Sequence, residues 1–259
     1  VARSERTWEV EAKGETFECS ILANAEGARY YLSSLMGLPR PNEHWIFPAI
    51  QYDLRGVEVS DPGIVEVFLG SKWAPGFFAW LIPTGEREAR VGLAARDRPL
   101  QRLESLLRYH PVVSRRARMA SIVKKYGGMI VASGPLDKIT VEGGLALGDA
   151  ACQTKPTTGG GIVFSGFAAK IAARAVKMEL EGERGLALYE REWKRTFGAE
   201  SARGMLIRKI LSELRDEELD RLFAILEDIG IEEIAESKGD FDRHSTLVKK
   251  IFERPRALL

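Results

Sequence analysis

The stretch Leu145–Val176, LALGDAACQTKPTTGGGIVFSGFAAKIAARAV, decides how this chain is read. Its first residues, Leu145 to Leu147, read as a short apolar strand that ends at Gly148-Asp149-Ala150-Ala151. A turn-rich loop then runs to Pro156, and Gly159-Gly160-Gly161 open an apolar helix from about Ile162 to Glu179. A strand that ends in Gly-Asp sets a carboxylate at the carboxyl edge of a sheet, where open α/β folds bind ligands. Asp149 could there accept hydrogen bonds from a sugar-like hydroxyl, and the small residues behind it let a large planar ligand approach the backbone. Glycines at a helix start leave N–H groups pointing outward at the positive end of the helix dipole, worth about 0.3–2 kcal/mol to an anion. A reduced flavin, negatively charged over its pyrimidine ring, fits such a seat, and so does a phosphate. Three glycines taken alone also read as a flexible turn.

Outward from this stretch, the chain alternates between sheet and helix patterns. Trp8 to Ala12 and Thr16 to Leu22 form a hairpin by pattern, joined at Lys13-Gly14. Ile21 to Ala23 leads into Glu26-Gly27-Ala28-Arg29 and a short helix that ends at Gly37. From Trp45 to Ala95, four β-rich runs (Ile46–Leu54, Ile64–Leu69, Phe77–Ile82 and Ala89–Ala94) predict an antiparallel sheet, followed by a helix from about Leu100 to Tyr109. Met129–Ala132 reads as another short strand. The remainder, 186–259, is helical by period, with Asp216 as the expected N-cap for an apolar face of Leu219, Leu222, Phe223 and Leu226.

Bulk properties exclude several classes. The net charge of +1 offers no electrostatic pull toward nucleic acid. Two cysteines, Cys19 and Cys152, give no disulfide framework, and His44, His110 and His244 lack ligand spacing, so no metal site is expected. No apolar run reaches the ~20 residues of a spanning helix, and no signal peptide is evident, so a cytoplasmic location is the expectation. Cys152 reads as a small packing residue and Lys155 as a solvated loop lysine.

The run Leu147 to Ile162 closely resembles the second flavin-binding motif of the geranylgeranyl reductase family, FAD enzymes with the p-hydroxybenzoate hydroxylase type of fold. Lys155-Pro156-Thr157-Thr158-Gly159-Gly160-Gly161-Ile162 points to these reductases rather than to aromatic hydroxylases. Ala74 to Pro83 is similar to the family's substrate-cavity motif, Pro-x-x-Tyr-x-Trp-x-Phe-Pro, with Phe78 in place of the Tyr and Ile82 in place of the Phe. On their own, Phe78 and Trp80 read as plain core packing. A weaker match sets Ala25-Glu26-Gly27-Ala28-Arg29 where the family has Ala-Asp-Gly-x-x-Ser, with Glu26 replacing Asp and Tyr30 replacing Ser.

The resemblance implies a mixed α/β (α+β) fold, the C-terminal portion of a p-hydroxybenzoate hydroxylase-like FAD-binding protein. It implies four regions: 1–38, a remnant of the FAD-binding domain; 39–135, an antiparallel-sheet substrate domain; 136–185, the FAD-binding segment; and 186–259, a helical region. Gly148, Asp149, Ala150, Pro156, Gly159, Gly160, Gly161 and Ile162 would bind FAD, and Pro75, Phe78, Trp80 and Pro83 would line a lipid cavity. The implied reaction delivers hydride from reduced flavin to one carbon of an isolated alkene of an isoprenoid lipid and a proton to the other. The proton donor and the electron donor are not identified by the residues. No Gly-x-Gly-x-x-Gly occurs in the chain, so the expectation is a fragment, inactive by itself as an oxidoreductase, or a separate polypeptide for that half of the cofactor site. An FAD monooxygenase of the same fold and a non-catalytic lipid-binding partner are the competing readings. Arg203, Arg208 and Lys209 beside Met205, Leu206, Ile207 and Ile210 allow peripheral membrane contact, against a solvated helix face as the plainer account.

Overall fold

The structure, a computed structural model, describes residues 1–4, 7–238, 240 and 242. In chain order the strands and helices are β1 (Ala2–Arg3), β2 (Trp8–Ala12), β3 (Glu15–Cys19), β4 (Leu22–Asn24), α1 (Tyr31–Leu35), β5 (Ile46–Arg55), β6 (Glu66–Phe68), β7 (Ala79–Gly85) and β8 (Glu88–Ala94). There follow α2 (Pro99–Tyr109), α3 (Val113–Arg116), β9 (Ser121–Val131), β10 (Thr140–Val141), β11 (Gly144–Ala146), α4 (Ile162–Leu180), α5 (Gly185–Trp193), α6 (Ala199–Glu213), α7 (Asp216–Asp228) and α8 (Ile231–Lys238). A π-helical turn, Lys194–Gly198, joins α5 to α6. The part of the expected C-terminal helical region at 239, 241 and 243–259 lies outside the described residues.

The chain divides into two compact units. One comprises 1–45, 131–208 and the residues from 231 onward, and it carries two small sheets. In the first, β2 and β3 pair as the expected hairpin, and Lys13 and Gly14 both take positive φ, 55° and 80°, as a two-residue turn matched to strand twist requires. In the second, β11 runs parallel to β4 and antiparallel to β10. This parallel pair brings the segment before Glu26 beside the segment before Gly148. Helices α4 and α5 pack so closely that a Cβ on Gly185 would collide with the Ala175 carbonyl oxygen. Phe164, Trp193 and Phe197 form an aromatic cluster at this junction, with ring centroids 4.5–5.8 Å apart.

The other unit, 46–130 with 209–230, is built on a five-stranded sheet in the order β6-β7-β8-β5-β9. Alternation decides its two faces. Leu81, Val91, Leu93, Tyr52 and Leu54 are buried in one apolar core with Leu103 and Leu106 of α2, while Trp80, Ile82, Gln51 and Asp53 are only half-buried.

Two sequence expectations change here. Met129–Ala132 is only the end of an eleven-residue strand, β9, whose first nine residues are exposed. An edge strand with no buried face carries no alternation to detect, and Lys124, Lys125, Gly127 and Gly128 mask it further. Asp216 does not cap α7. Arg215 holds the N-cap position and its N–H donates to Glu218 Oε2 at 2.8 Å, while Asp216 Oδ1 accepts the Ser71 N–H at 2.8 Å. Phe223, expected on the apolar face of that helix, is 51% exposed.

Candidate functional site

The Gly148–Ala151 turn follows β11 as a single 3-10 turn, with Gly148 at φ 62°. Its shape is fixed from beneath by Gln153, which is fully buried. Gln153 Oε1 accepts the Gly148 N–H at 2.8 Å, its own N–H donates to the Gly148 carbonyl at 2.9 Å, and its Nε2 donates to the Tyr189 hydroxyl at 2.7 Å. Tyr189 in turn donates to the Ala146 carbonyl at 2.8 Å. From the other side, Tyr30 donates to the Asp149 carbonyl at 2.9 Å. The Gly148 N–H and the Gly148 and Asp149 carbonyls are thus tied down, while the Asp149 carboxylate is bonded by no donor among the described residues. Partial burial raises its pKa above the ordinary carboxylate range.

Facing this carboxylate is the start of α4. Gly161 is its N-cap, no side chain caps it, and Ile162 is 93% exposed. The amides of the first turn therefore lack intrahelical and capping acceptors. A Cβ on Gly161 would lie 3.3 Å from Asp149 Oδ1, 3.2 Å from Thr154 Cγ2 and 3.6 Å from Ser165 Oγ. The absent side chain is what lets the carboxylate and the helix start approach each other. Geometry and electrostatics converge here: a hydrogen-bond acceptor and a row of donors border one half-buried surface, which suits a ligand with both hydroxyl groups and an electron-rich ring edge.

The nine residues before this helix are arranged differently from expectation in three places. Gly160 donates its N–H to Thr158 Oγ1 at 3.4 Å, and its bare Cα faces Lys155, whose Cε would lie 2.9 Å from a Cβ there. The amides offered to a ligand are consequently those from Gly161 onward. Lys155 is no solvated lysine. It is 7% exposed, and its ammonium pairs with Asp242 Oδ1 at 2.9 Å. Pro156 is buried against Gly204 of α6, whose Cβ would lie 3.1 Å from Pro156 Cδ, and Ala150 is 1% exposed, so both support the turn from within.

Three residues of this site were not legible in the sequence. Gln153 and Tyr189 are tied to the turn by contacts that only the fold creates. Arg208, expected on an open basic helix face, is 3% exposed and donates from Nε to the Pro156 carbonyl at 2.9 Å and from its terminal nitrogen to the Thr157 carbonyl. Burial lowers its pKa to about 10. Cys152 is fully buried, and burial pushes its thiol up to about 12, as a packing residue requires. Glu26 has a structural duty. Burial alone would raise its pKa, yet the amides of Leu32 and Ser33 at 2.9 and 2.6 Å, with Asn24 at 3.1 Å, bring it below the ordinary value. Its carboxylate caps α1.

In the sheet unit, Pro75, Phe78, Trp80 and Pro83 are all half-buried. Phe78 stacks on buried Phe77 with centroids 4.3 Å apart and meets Trp80 edge-on at 6.0 Å. These rings lie on the face of the sheet opposite its core, so plain core packing is not the role of Trp80.

A mixed α/β chain with antiparallel sheets is the fold that a geranylgeranyl bacteriochlorophyll reductase-like protein and flavin-dependent halogenases share with this structure. The structure is similar to a flavin-dependent brominase with a TM-score of 0.63 at 17% identity, over 95% of this chain and 66% of that one, which shows the fold alone. Residues 45–130 match the family model described as the geranylgeranyl reductase catalytic domain. A geranylgeranyl bacteriochlorophyll reductase-like protein of Thermoplasma acidophilum superposes with a TM-score of 0.76 at 25% identity, over 93% of this chain and 64% of that one. The digeranylgeranylglycerophospholipid reductase of Methanocaldococcus jannaschii is 32% identical over 96% of this chain and 64% of its own length. Digeranylgeranylglycerophospholipid reductase 2 of Methanothermobacter thermautotrophicus is 34% identical over 81% and 55%. The chain is thus similar to members of the geranylgeranyl reductase family over most of its length. It spans 55–64% of the length of these two curated relatives.

Proposed function

We propose that this chain carries the flavin-facing turn and the lipid-facing sheet of an FAD-dependent reductase that saturates isolated double bonds in geranylgeranyl-type lipid chains. The observation that carries the reading is the Asp149 carboxylate, bonded by no donor among the described residues, beside the uncapped start of α4. Asp149 accepts hydrogen bonds from ribityl hydroxyls, and the amides from Gly161 onward hold the electron-rich edge of the ring system. When bound, the reduced flavin supplies the hydride. An unactivated alkene offers little charge to grip, so the chain's own contribution is positioning and exclusion of water by Phe78, Trp80 and their neighbours. Replacement of the family's Tyr by Phe78 leaves the surface drier. The dinucleotide half of FAD we assign to sequence outside these 259 residues, whether joined to them or on a second polypeptide. Exposed Leu206 and Ile210 beside Arg203 and Lys209 on α6 support a peripheral contact with anionic lipid, for which flotation with phosphatidylglycerol vesicles is the check.

The test uses these 259 residues purified together with the sequence that carries the dinucleotide half, titrated with FAD and then reduced anaerobically with dithionite in the presence of a digeranylgeranyl glycerophospholipid. Flavin absorbance that follows the protein through gel filtration, and product heavier by two hydrogens per bond, are expected. Product that forms only with oxygen would replace this reading by the monooxygenase. A protein that stays colourless would replace it by the non-catalytic partner.

A further inference from the structure

We propose that Gln51 is a positioning residue that holds the Trp80 indole flat across the sheet and so sets how an isoprenoid chain lies on it. The inference rests on the lipid-reductase reading. Trp80 on β7, Gly92 on β8 and Gln51 on β5 form one cross-strand row, because Gly92 is the register partner of both. Two strand spacings separate the outer residues, about 10 Å between their backbones. Even so, the indole Nε1 donates to Gln51 Oε1 at 3.0 Å. The bridge exists because the middle residue has no side chain: a Cβ on Gly92 would lie 2.7 Å from Cζ2 and 2.8 Å from Cε2 of the indole. The ring therefore rests on bare backbone.

A rotatable tryptophan and a tethered one are different surfaces. Tethered, Trp80 presents a fixed apolar plane beside Phe78, and its only polar atom is already satisfied, so a hydrocarbon chain can lie against it without leaving a buried donor unpaired. Untethered, the indole N–H must find another acceptor each time the surface is covered. One row further along this face the character changes: Tyr126 donates to Asp53 Oδ2 at 2.8 Å, and Arg90 Nε lies 3.4 Å from Asp53 Oδ1. The Trp80 row is thus the last apolar row before a charged one, and its exact placement limits how far a lipid chain extends.

Gln51→Leu removes the acceptor at similar volume, and Gln51→Glu keeps an acceptor oxygen. In two-dimensional NMR the Trp80 indole N–H, assigned by its loss in Trp80→Phe, is expected to move upfield in Gln51→Leu and to stay near its original position in Gln51→Glu. KM for the geranylgeranyl lipid should rise about three- to tenfold in Gln51→Leu with a smaller change in kcat, the size expected for one hydrogen bond, and Gln51→Glu should restore it. An unmoved indole in Gln51→Leu, or an unchanged KM in both Gln51→Leu and Trp80→Phe, overturns the inference while leaving the reductase reading intact. If the wild-type protein reduces no lipid, the reductase reading falls by itself. The indole resonance then decides the present point, by whether geranylgeraniol in detergent shifts it and whether Gln51→Leu weakens that binding.

Discussion

The Tyr30 hydroxyl donates to the Asp149 carbonyl oxygen at 2.9 Å, tying together two segments that are 119 residues apart in sequence. The bond holds the backbone of the turn from above while Gln153 holds it from below, and it leaves the Asp149 side chain free. Tyr30→Phe should therefore lower stability by about 1–2 kcal/mol, the loss of one buried hydrogen bond. In thermal denaturation this appears as a Tm lower by roughly 2–8 °C. An unchanged Tm would mean that the turn holds its shape without the contact.

Gly161→Ala should weaken flavin binding about tenfold or more with only a small change in Tm. The new methyl would sit 3.3 Å from Asp149 Oδ1 and 3.2 Å from Thr154 Cγ2, and φ at this position is −113°, so no backbone strain is added. The half-buried carboxylate, held by no donor among the described residues, is the group that gives way. Fluorescence quenching of added FAD measures the affinity, and differential scanning calorimetry the stability.

Arg208→Met should destabilise by about 2–4 kcal/mol, since it strips a charged donor from two buried carbonyl groups, those of Pro156 and Thr157. Flavin affinity should fall with it, because these carbonyls belong to the loop that delivers Gly159 to Gly161. Arg208→Lys should recover part of both. Urea denaturation of the three proteins checks the order.

Asp149 binds its proton more tightly folded than unfolded, because burial raises its pKa. Its contribution to stability is therefore full below the ordinary Asp value of about 4 and is lost as pH rises through the higher folded value. Asp149→Asn should remove this loss, making the protein more stable than wild type at neutral pH, with a smaller drop in Tm from pH 4 upward, while flavin binding declines. A pH series of melting curves on both proteins tests the sign. A variant that melts lower than wild type at pH 7 would contradict it.

Thiol chemistry gives a simple count. Cys19 is half-buried, whereas Cys152 is fully buried with its thiol pushed up to about 12. Ellman's reagent at pH 8 should titrate one thiol in the native protein and two after unfolding in guanidinium. Cys152→Ala should retain reductase activity, which removes the thiol from the list of proton donors.

How far residue order alone carried the reading can be judged from particular places. The Lys13-Gly14 hairpin, helix α2 and the strand–turn–helix from Leu145 to Leu180 follow from local rules: turn chemistry that tolerates positive φ, alternation, and apolar period. Asp149 and the glycines were legible because their chemistry lies within one continuous stretch. Strand β9 was hidden because an edge strand exposed on both faces has no pattern to display. The burial of Lys155, Pro156 and Arg208 was not legible because it depends on what packs over them, and α6 lies some fifty residues further along the chain.

Sequence by itself thus determined which backbone shapes are allowed and where a carboxylate and free helix amides stand close in the chain, since both depend on neighbours a few residues apart. Tertiary structure alone decided which of those groups remain free. Gln153 takes up the backbone groups of Gly148, Tyr189 the Ala146 carbonyl and Tyr30 the Asp149 carbonyl, and none of them engages the Asp149 side chain, while Gln51 reaches Trp80 only across a glycine on the strand between them. Hydrogen-bond capacity is shared among whatever groups folding brings within about 3 Å, and that partition is not written in the order of residues.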